Sequence, residues 1–458
     1  MEAIFNYDDL AYLAVALPEP IAALHSQGRF AEEIPAIDKL LQKKPDKAMQ
    51  KRLELEKFIA TGLMGDYNTN EQTLVRQIRD RFPAFTNAHL RQIMDMGHAD
   101  YILRPDGYYF QNGAKSNIFG CCDTFLHRLD SPDYKGHDGE NDILHDNIAK
   151  MKKNGYRAIR YTVREALWPN EKHIREGKWF RAWLPYPCVT PEITDIKLLK
   201  VNQMTQVTEH PIRTAYTQFL YRAGEKYEIE VAFTNRAEYR DYEESWVTDA
   251  HPHFPQYLEE QYPHIVFTPY LRHLEREITG GKGSPMARAR RIYEYITHNI
   301  RYSYMREYRY MDNIPMYAAL NHRGDCGVQA LLFITLCRIS GIPARWQSGN
   351  YIRPDKHIGS HDWAQFYVAP YGWLQCDPSF GGGAYKSGDK LLHDFYFCHA
   401  DPFRYISCTE FQMQLAPAKK FMRLDPYDNQ SGEAEYDDMV LDPDDIYTRK
   451  EVLSAEEV

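Results

Sequence analysis

Apolar residues in the first 150 positions recur at helical spacing. Residues 31–41, 47–61 and the stretch after Asn70 carry them three and four apart, with Leu74, Ile78 and Phe82 on one stripe and Asn70 placed to cap the last helix. The pattern predicts a helical region over 1–150. It includes the adjacent pair Cys121-Cys122, read as packed thiols, and a polar loop at 131–142. From about 156 to 242 the period changes to two. Stretches 157–163, 179–184, 196–201, 215–221 and 227–234 are short, β-branched or aromatic, and separated by turn signals such as Pro185-Tyr186-Pro187. They predict an antiparallel β-sandwich over 151–250, with charges alternating on its solvated face. Prolines and histidines between 251 and 269 mark a linker. A helix begins after Ser284-Pro285, where Ser caps and Pro takes the first turn.

Composition narrows the class of protein. The 458 residues carry 55 Lys+Arg against 64 Asp+Glu, a net charge of −9, so no global field attracts nucleic acid or anionic lipid. The expectation is no nucleic-acid partner and no membrane partner. The longest apolar runs fall short of the ~20 residues that span a bilayer. The first twenty residues hold four acids and no Lys or Arg, unlike a secretory signal, and a cytoplasmic location is expected. Eight cysteines lie scattered without a CxxC pair, the pattern of free thiols rather than a disulfide frame or zinc ribbon; no cofactor and no metal are expected. From 425 to 458 there are twelve Asp or Glu and two Lys or Arg, read as a solvated, partly disordered acidic tail.

The chemistry concentrates in 321–383. Residues 326–339 form a helix that is apolar almost all round and ends at Gly341, so Cys326 sits in the first turn of a buried helix. Unpaired N–H groups and the helix dipole there favour a thiolate and can receive an oxyanion. Further on, 361–380 reads as a hairpin around Ala369-Pro370-Tyr371-Gly372, with His361 opening one strand and Asp377 closing the other. Asp377 then lies opposite Trp363 and diagonal to His361, within side-chain reach. Asp362 points to the opposite face and is read as a hydrogen-bonding or surface residue; His357, in a loop, is a weaker base.

These residues carry a resemblance. Gly324-Asp325-Cys326, Gly341-Ile342-Pro343-Ala344-Arg345, His361-Asp362-Trp363 and Asp377-Pro378 resemble the core of the transglutaminase-like superfamily, whose members have a papain-like fold. The resemblance covers about 285–385, and the stretch 151–250 is similar to the β-rich domain that often precedes this core in bacterial members. It implies an α+β chain with a catalytic core over 251–424, Cys326 as nucleophile, His361 as base and then acid, and Asp377 as the group fixing the imidazole. A second oxyanion donor is expected from Asn321, Asn313 or Tyr302. The implied activity is that of a cysteine peptidase or amidase acting on a peptide or amide substrate through a thioester. A protein-glutamine transglutaminase and a non-enzymatic binding module are the alternatives.

Overall fold

The computed structural model describes residues 5–134, 140–423 and 428–458. Residues 135–139 of the polar loop and 425–427 of the acidic segment therefore lie outside the described residues. The chain is α+β, with helices gathered at the N-terminus and around one face of a central antiparallel sheet.

The N-terminal helices form where the periodicity places them, at Phe30–Leu41, Lys47–Asp66 and Glu71–Arg79. Asn70 caps the last, its Oδ1 accepting the Thr73 N–H at 2.9 Å. Leu74, Ile78 and Phe82 pack with Leu90, Phe110 and Cys122. Both adjacent cysteines are free; Cys121 donates its S–H to Asn117 at 3.1 Å.

The β-rich stretch makes two facing sheets. One carries Tyr156–Pro169, Tyr227–Glu238 and Ile193–Val201, the other Trp179–Pro185, Thr214–Leu220 and Thr205–Val207. Alternate residues Ile159, Tyr161 and Val163 meet Phe180, Ala182 and Leu184 between them. The acidic segment belongs to this sandwich, which corrects the expectation of a solvated tail. Glu433–Tyr436 pairs with Trp179–Pro185, and Ile446–Glu457 runs along Tyr156–Pro169. Its apolar residues Ala434, Tyr436, Ile446 and Val452 are buried in the sandwich core. Partners elsewhere in the chain meet its charges: Arg423 and Lys419 at Glu433 (2.6 and 3.1 Å), Arg164 at Glu451 (3.2 Å), Arg157 at Glu457 (3.0 Å). A net-charge count cannot register these distant cations.

The central sheet runs, neighbour to neighbour, Phe397–Cys398, Gly372–Cys376, Ile358–Val368, Ala344–Ile352 and Arg404–Cys408. Every pairing is antiparallel. The helix Cys326–Ile339 covers one face, with Phe333 against Phe366 at 5.7 Å between ring centres. The sandwich packs on the other face, where Trp363, Tyr405 and Ile406 join its core. Helix Pro285–Asn299 starts as expected, with Ser284 Oγ accepting the Ala287 N–H at 3.1 Å.

Because Ile446 is an inward residue of the sandwich, Ile446→Ala should destabilise the protein by about 2–4 kcal/mol in urea unfolding. The exposed Glu456→Ala should stay within about 0.5 kcal/mol. Equal, negligible effects would return the segment to solvent.

Candidate functional site

The hairpin adopts the register read from its turn. Val368 pairs with Gly372 and Ala364 with Cys376, which places Asp377 beside Trp363 and diagonal to His361. Asp377 also caps the helix Pro378–Ser387, its Oδ1 accepting the Phe380 N–H at 3.0 Å. Its Oδ2 accepts from His361 Nε2 at 2.7 Å and from Arg404 Nη2 at 2.8 Å. All three residues are buried. Burial opposes ionisation of Asp377, but His361, Arg404 and the hydrogen bonds outweigh it and hold the carboxyl well below the usual range. Arg404 also reaches Asp401 at 3.3 Å. The imidazole is clamped as a plane as well, lying on Phe380 at 4.1 Å between ring centres and 17° between planes.

Cys326 opens its helix as expected, behind the cap Asp325, whose Oδ1 accepts from Val328 N–H at 2.9 Å and Tyr308 O–H at 2.6 Å. The thiol's hydrogen-bond partner, however, is Asp362 Oδ2 at 3.3 Å, and no hydrogen bond joins Cys326 to His361. The reason is the pleat. Neighbours on a strand point to opposite faces, so Asp362, Ala364 and Phe366 face the cysteine helix while His361 and Trp363 face Arg404. Asp362 is therefore an interior residue beside the thiol rather than a surface one.

Burial raises the Cys326 thiol well above its ordinary range, and the nearby carboxyls of Asp362 and Asp325 add to this. The thiolate that the helix dipole alone would favour is thus disfavoured in this arrangement. A dipole contributes at most ~2 kcal/mol, whereas full desolvation moves a pKa by up to about 3–5 units. Asp362 is likewise raised well above the carboxylate range, first by burial and then by Asp428 and Asp325; burial brings Asp325 and Asp428 each up to about 6.

Tyr302 lies close to the thiol: the Cys326 charge is the largest factor raising its hydroxyl pKa, followed by burial. It pairs with Gly324, two residues before the cysteine. Asn313 instead caps the helix Ile314–Asn321, and Asn321 bonds Tyr317 from an exposed position. Tyr302 and His361 line one cavity of about 510 Å³ with Tyr351, Phe380, Tyr396 and the exposed His357.

Sequence reasoning missed Arg404, Asp428 and Gln430. Gln430 donates to the His361 carbonyl at 3.3 Å and to Asp362, and Asp428 accepts from Ser348. Two of them lie in the segment assigned to solvent by its charge, and Arg404 stands in no motif. For a metal, the described residues bring together His25, Glu33 and Glu56, with ligand-type atoms within 4.8 Å. There His25 lies 2.6 Å from Glu56 and 3.4 Å from Glu33, and Arg52 lies 2.5 Å from Glu56. A protonated His25, its pKa raised to about 10 as the two glutamates outweigh burial, balances these charges without an ion.

The raised carboxyls set a pH dependence. Their folded pKa values of about 6 exceed the unfolded value of about 3.9, so the stability they contribute is full below about pH 4 and is lost as pH rises through 6. Asp428→Asn keeps an acceptor for Ser348 and should remove about 2 kcal/mol of that decline. Urea midpoints of the two proteins should therefore diverge between pH 4.5 and pH 7.5, with the variant the more stable at pH 7.5. Parallel curves would refute the assignment.

Residues 272–378 match the sequence model of the transglutaminase-like superfamily, a stretch that contains Cys326, His361 and Asp377 but not Arg404, Asp428 or Gln430. No curated protein sequence matches the chain. Among solved structures, it aligns with a candidate cysteine protease from Cytophaga hutchinsonii at 11% identity, over 65% of this chain and 91% of that one, with a TM-score of 0.39. It also aligns with the periplasmic domain of TgpA from Pseudomonas aeruginosa at 15% identity, over 54% and 95%, with a TM-score of 0.27. The segment from 272 to 378, carrying the cysteine helix and the histidine hairpin, is a transglutaminase-like domain.

Proposed function

We propose that the protein is a thiol-dependent amide or acyl hydrolase or acyltransferase working through a Cys326 thioester, in the first instance a cysteine peptidase or amidase on peptide-like substrates. The observation that supports this most directly is the joint placement of Cys326 and the His361–Asp377–Arg404 assembly. The thiol sits at the mouth of a buried helix against Asp362, and the assembly is held on the opposite face of the same strand, one residue away at His361. Cys326 sulfur attacks the carbonyl carbon, and the oxyanion is received by the Cys326 N–H, the Val328 N–H being held by Asp325, with Tyr302 as a side-chain donor. The amine leaves with the proton taken from the thiol, and water then cleaves the thioester to acid and thiol. Asp377 accepts from Nε2 of His361, which leaves Nδ1 as the nitrogen for proton transfer. For that transfer the sulfur and the imidazole must come to one side of the strand, because Cys326 meets its Asp362 face and His361 points the other way. All eight cysteines are free thiols, which supports the cytoplasmic placement.

The Cys326–Asp362 bond favours a second reading, in which Asp362 itself takes the thiol proton. The two readings part on variants assayed over peptides and amides with and without a lysine amine. In both, Cys326→Ala abolishes turnover. If His361 is the base, His361→Asn lowers kcat by about 10²–10⁴, whereas Asp362→Asn stays within about tenfold. If Asp362 is the base, the two magnitudes exchange. Retained turnover in Cys326→Ala would discard the mechanism.

The thiol itself reports on its surroundings. Iodoacetamide should modify Cys326 slowly at pH 7 and faster as pH rises, because burial and the carboxyls hold its proton. Asp362→Asn should move that profile to lower pH; an unmoved profile would show that Asp362 does not govern the thiol.

A further inference from the structure

The face of the central sheet turned away from Cys326 encloses a second cavity of about 320 Å³, between the sheet and the end of the sandwich strand Tyr227–Glu238. Its walls mix apolar and polar side chains. Gln365 and Gln375 stand directly opposite each other on neighbouring strands, and Gln347 stands opposite Trp363 on the third. Neither Cys326 nor His361 lines this space.

The glutamines are oriented by their neighbours. Trp363 donates its ring N–H to Gln347 Oε1 at 2.7 Å and to Gln375 Oε1 at 3.1 Å, and Gln375 Nε2 donates to Glu192 Oε1 at 2.8 Å. These bonds leave particular atoms over. Gln347 Nε2, Asn235 Oδ1, Glu192 Oε2 and Arg404 Nε and Nη1 are buried and make no hydrogen bond within the protein. Gln347, Asn235 and Arg404 are each no more than 2% exposed. A buried polar atom left unpaired costs about 1–3 kcal/mol, so several of them around one cavity call for polar partners that enter it, water or a complementary molecule.

The leftover atoms also specify the chemistry. Gln347 and Arg404 offer donors; Glu192 and Asn235 offer acceptors. The fixed charges nearly cancel, with four arginines and three carboxylates around the space. A ligand must therefore present both an acceptor and a donor, with little net charge. The volume lies at the small end of the roughly 300–1,000 Å³ typical of ligand pockets.

We propose that this cavity binds a small zwitterion of free amino acid or dipeptide size, its carboxylate toward Gln347 and Arg404 and its ammonium toward Glu192 and Asn235. Arg404 links the cavity to the hairpin, since its Nη2 donates to the same Asp377 oxygen that receives His361. The occupant is thus seated behind the imidazole.

Calorimetric titration of the intact protein with glycylglycine tests this, with acetate and methylammonium as single-charge arms. Saturable glycylglycine binding is expected, with each arm at least about tenfold weaker. Glu192→Gln, nearly isosteric, and Gln347→Leu should each weaken glycylglycine binding by at least about tenfold, while Cys326→Ala should bind like the parent. If Gln347→Leu does not fold, Glu192→Gln alone decides. No saturable heat, or unchanged binding in the folded variants, overturns the proposal. Loss of binding in Cys326→Ala would place the dipeptide in the catalytic cavity and overturns it as well. Since Cys326→Ala is inactive under the proposed function yet competent here, failure of one reading is distinguishable from failure of the other.

Discussion

The two-residue alternation of the strand Ile358–Val368 governs this molecule. One set of its side chains, Asp362, Ala364 and Phe366, meets the cysteine helix; the other, His361 and Trp363, meets Arg404 and the sandwich. Every adjacent pair is divided this way because a pleated backbone offers no alternative. The strand therefore serves two cores at once, with the thiol meeting Asp362 on one face and the adjacent imidazole of His361 on the other.

Charge burial differs sharply between these faces. Behind the strand, Asp377 is compensated by His361 and Arg404 and remains ionised. In front of it, Asp325 and Asp362 stand beside the thiol and Asp428 beside Asp362, each with hydrogen-bond partners but with burial dominating, so protons are held. Carboxyls of one type thus take opposite states within one sheet's thickness. The difference is that His361 and Arg404 both donate directly to the Asp377 carboxylate.

The C-terminal segment ties these regions together. Ile446–Glu457 closes one sandwich sheet, Glu433–Tyr436 enters the other, and Asp428 and Gln430 just before them reach the hairpin. The catalytic sheet, the sandwich and the chain's end are one packed structure, with Trp363 and Tyr405 in the sandwich core.

Local signals in the sequence determined the helices around Leu74 and Ser284, the sandwich strands, the turn at Gly372 and hence the hairpin register that pairs His361 with Asp377. Each depends on a period, a cap or a turn that residues close in the chain specify among themselves. The tertiary structure alone decided that Asp362 meets the thiol, that Arg404 supports Asp377, and that the acidic segment becomes strands. Those outcomes depend on cations and apolar surfaces supplied from tens to hundreds of residues away. Burial, which sets the thiol's state, is a property of the assembled core rather than of any stretch of chain.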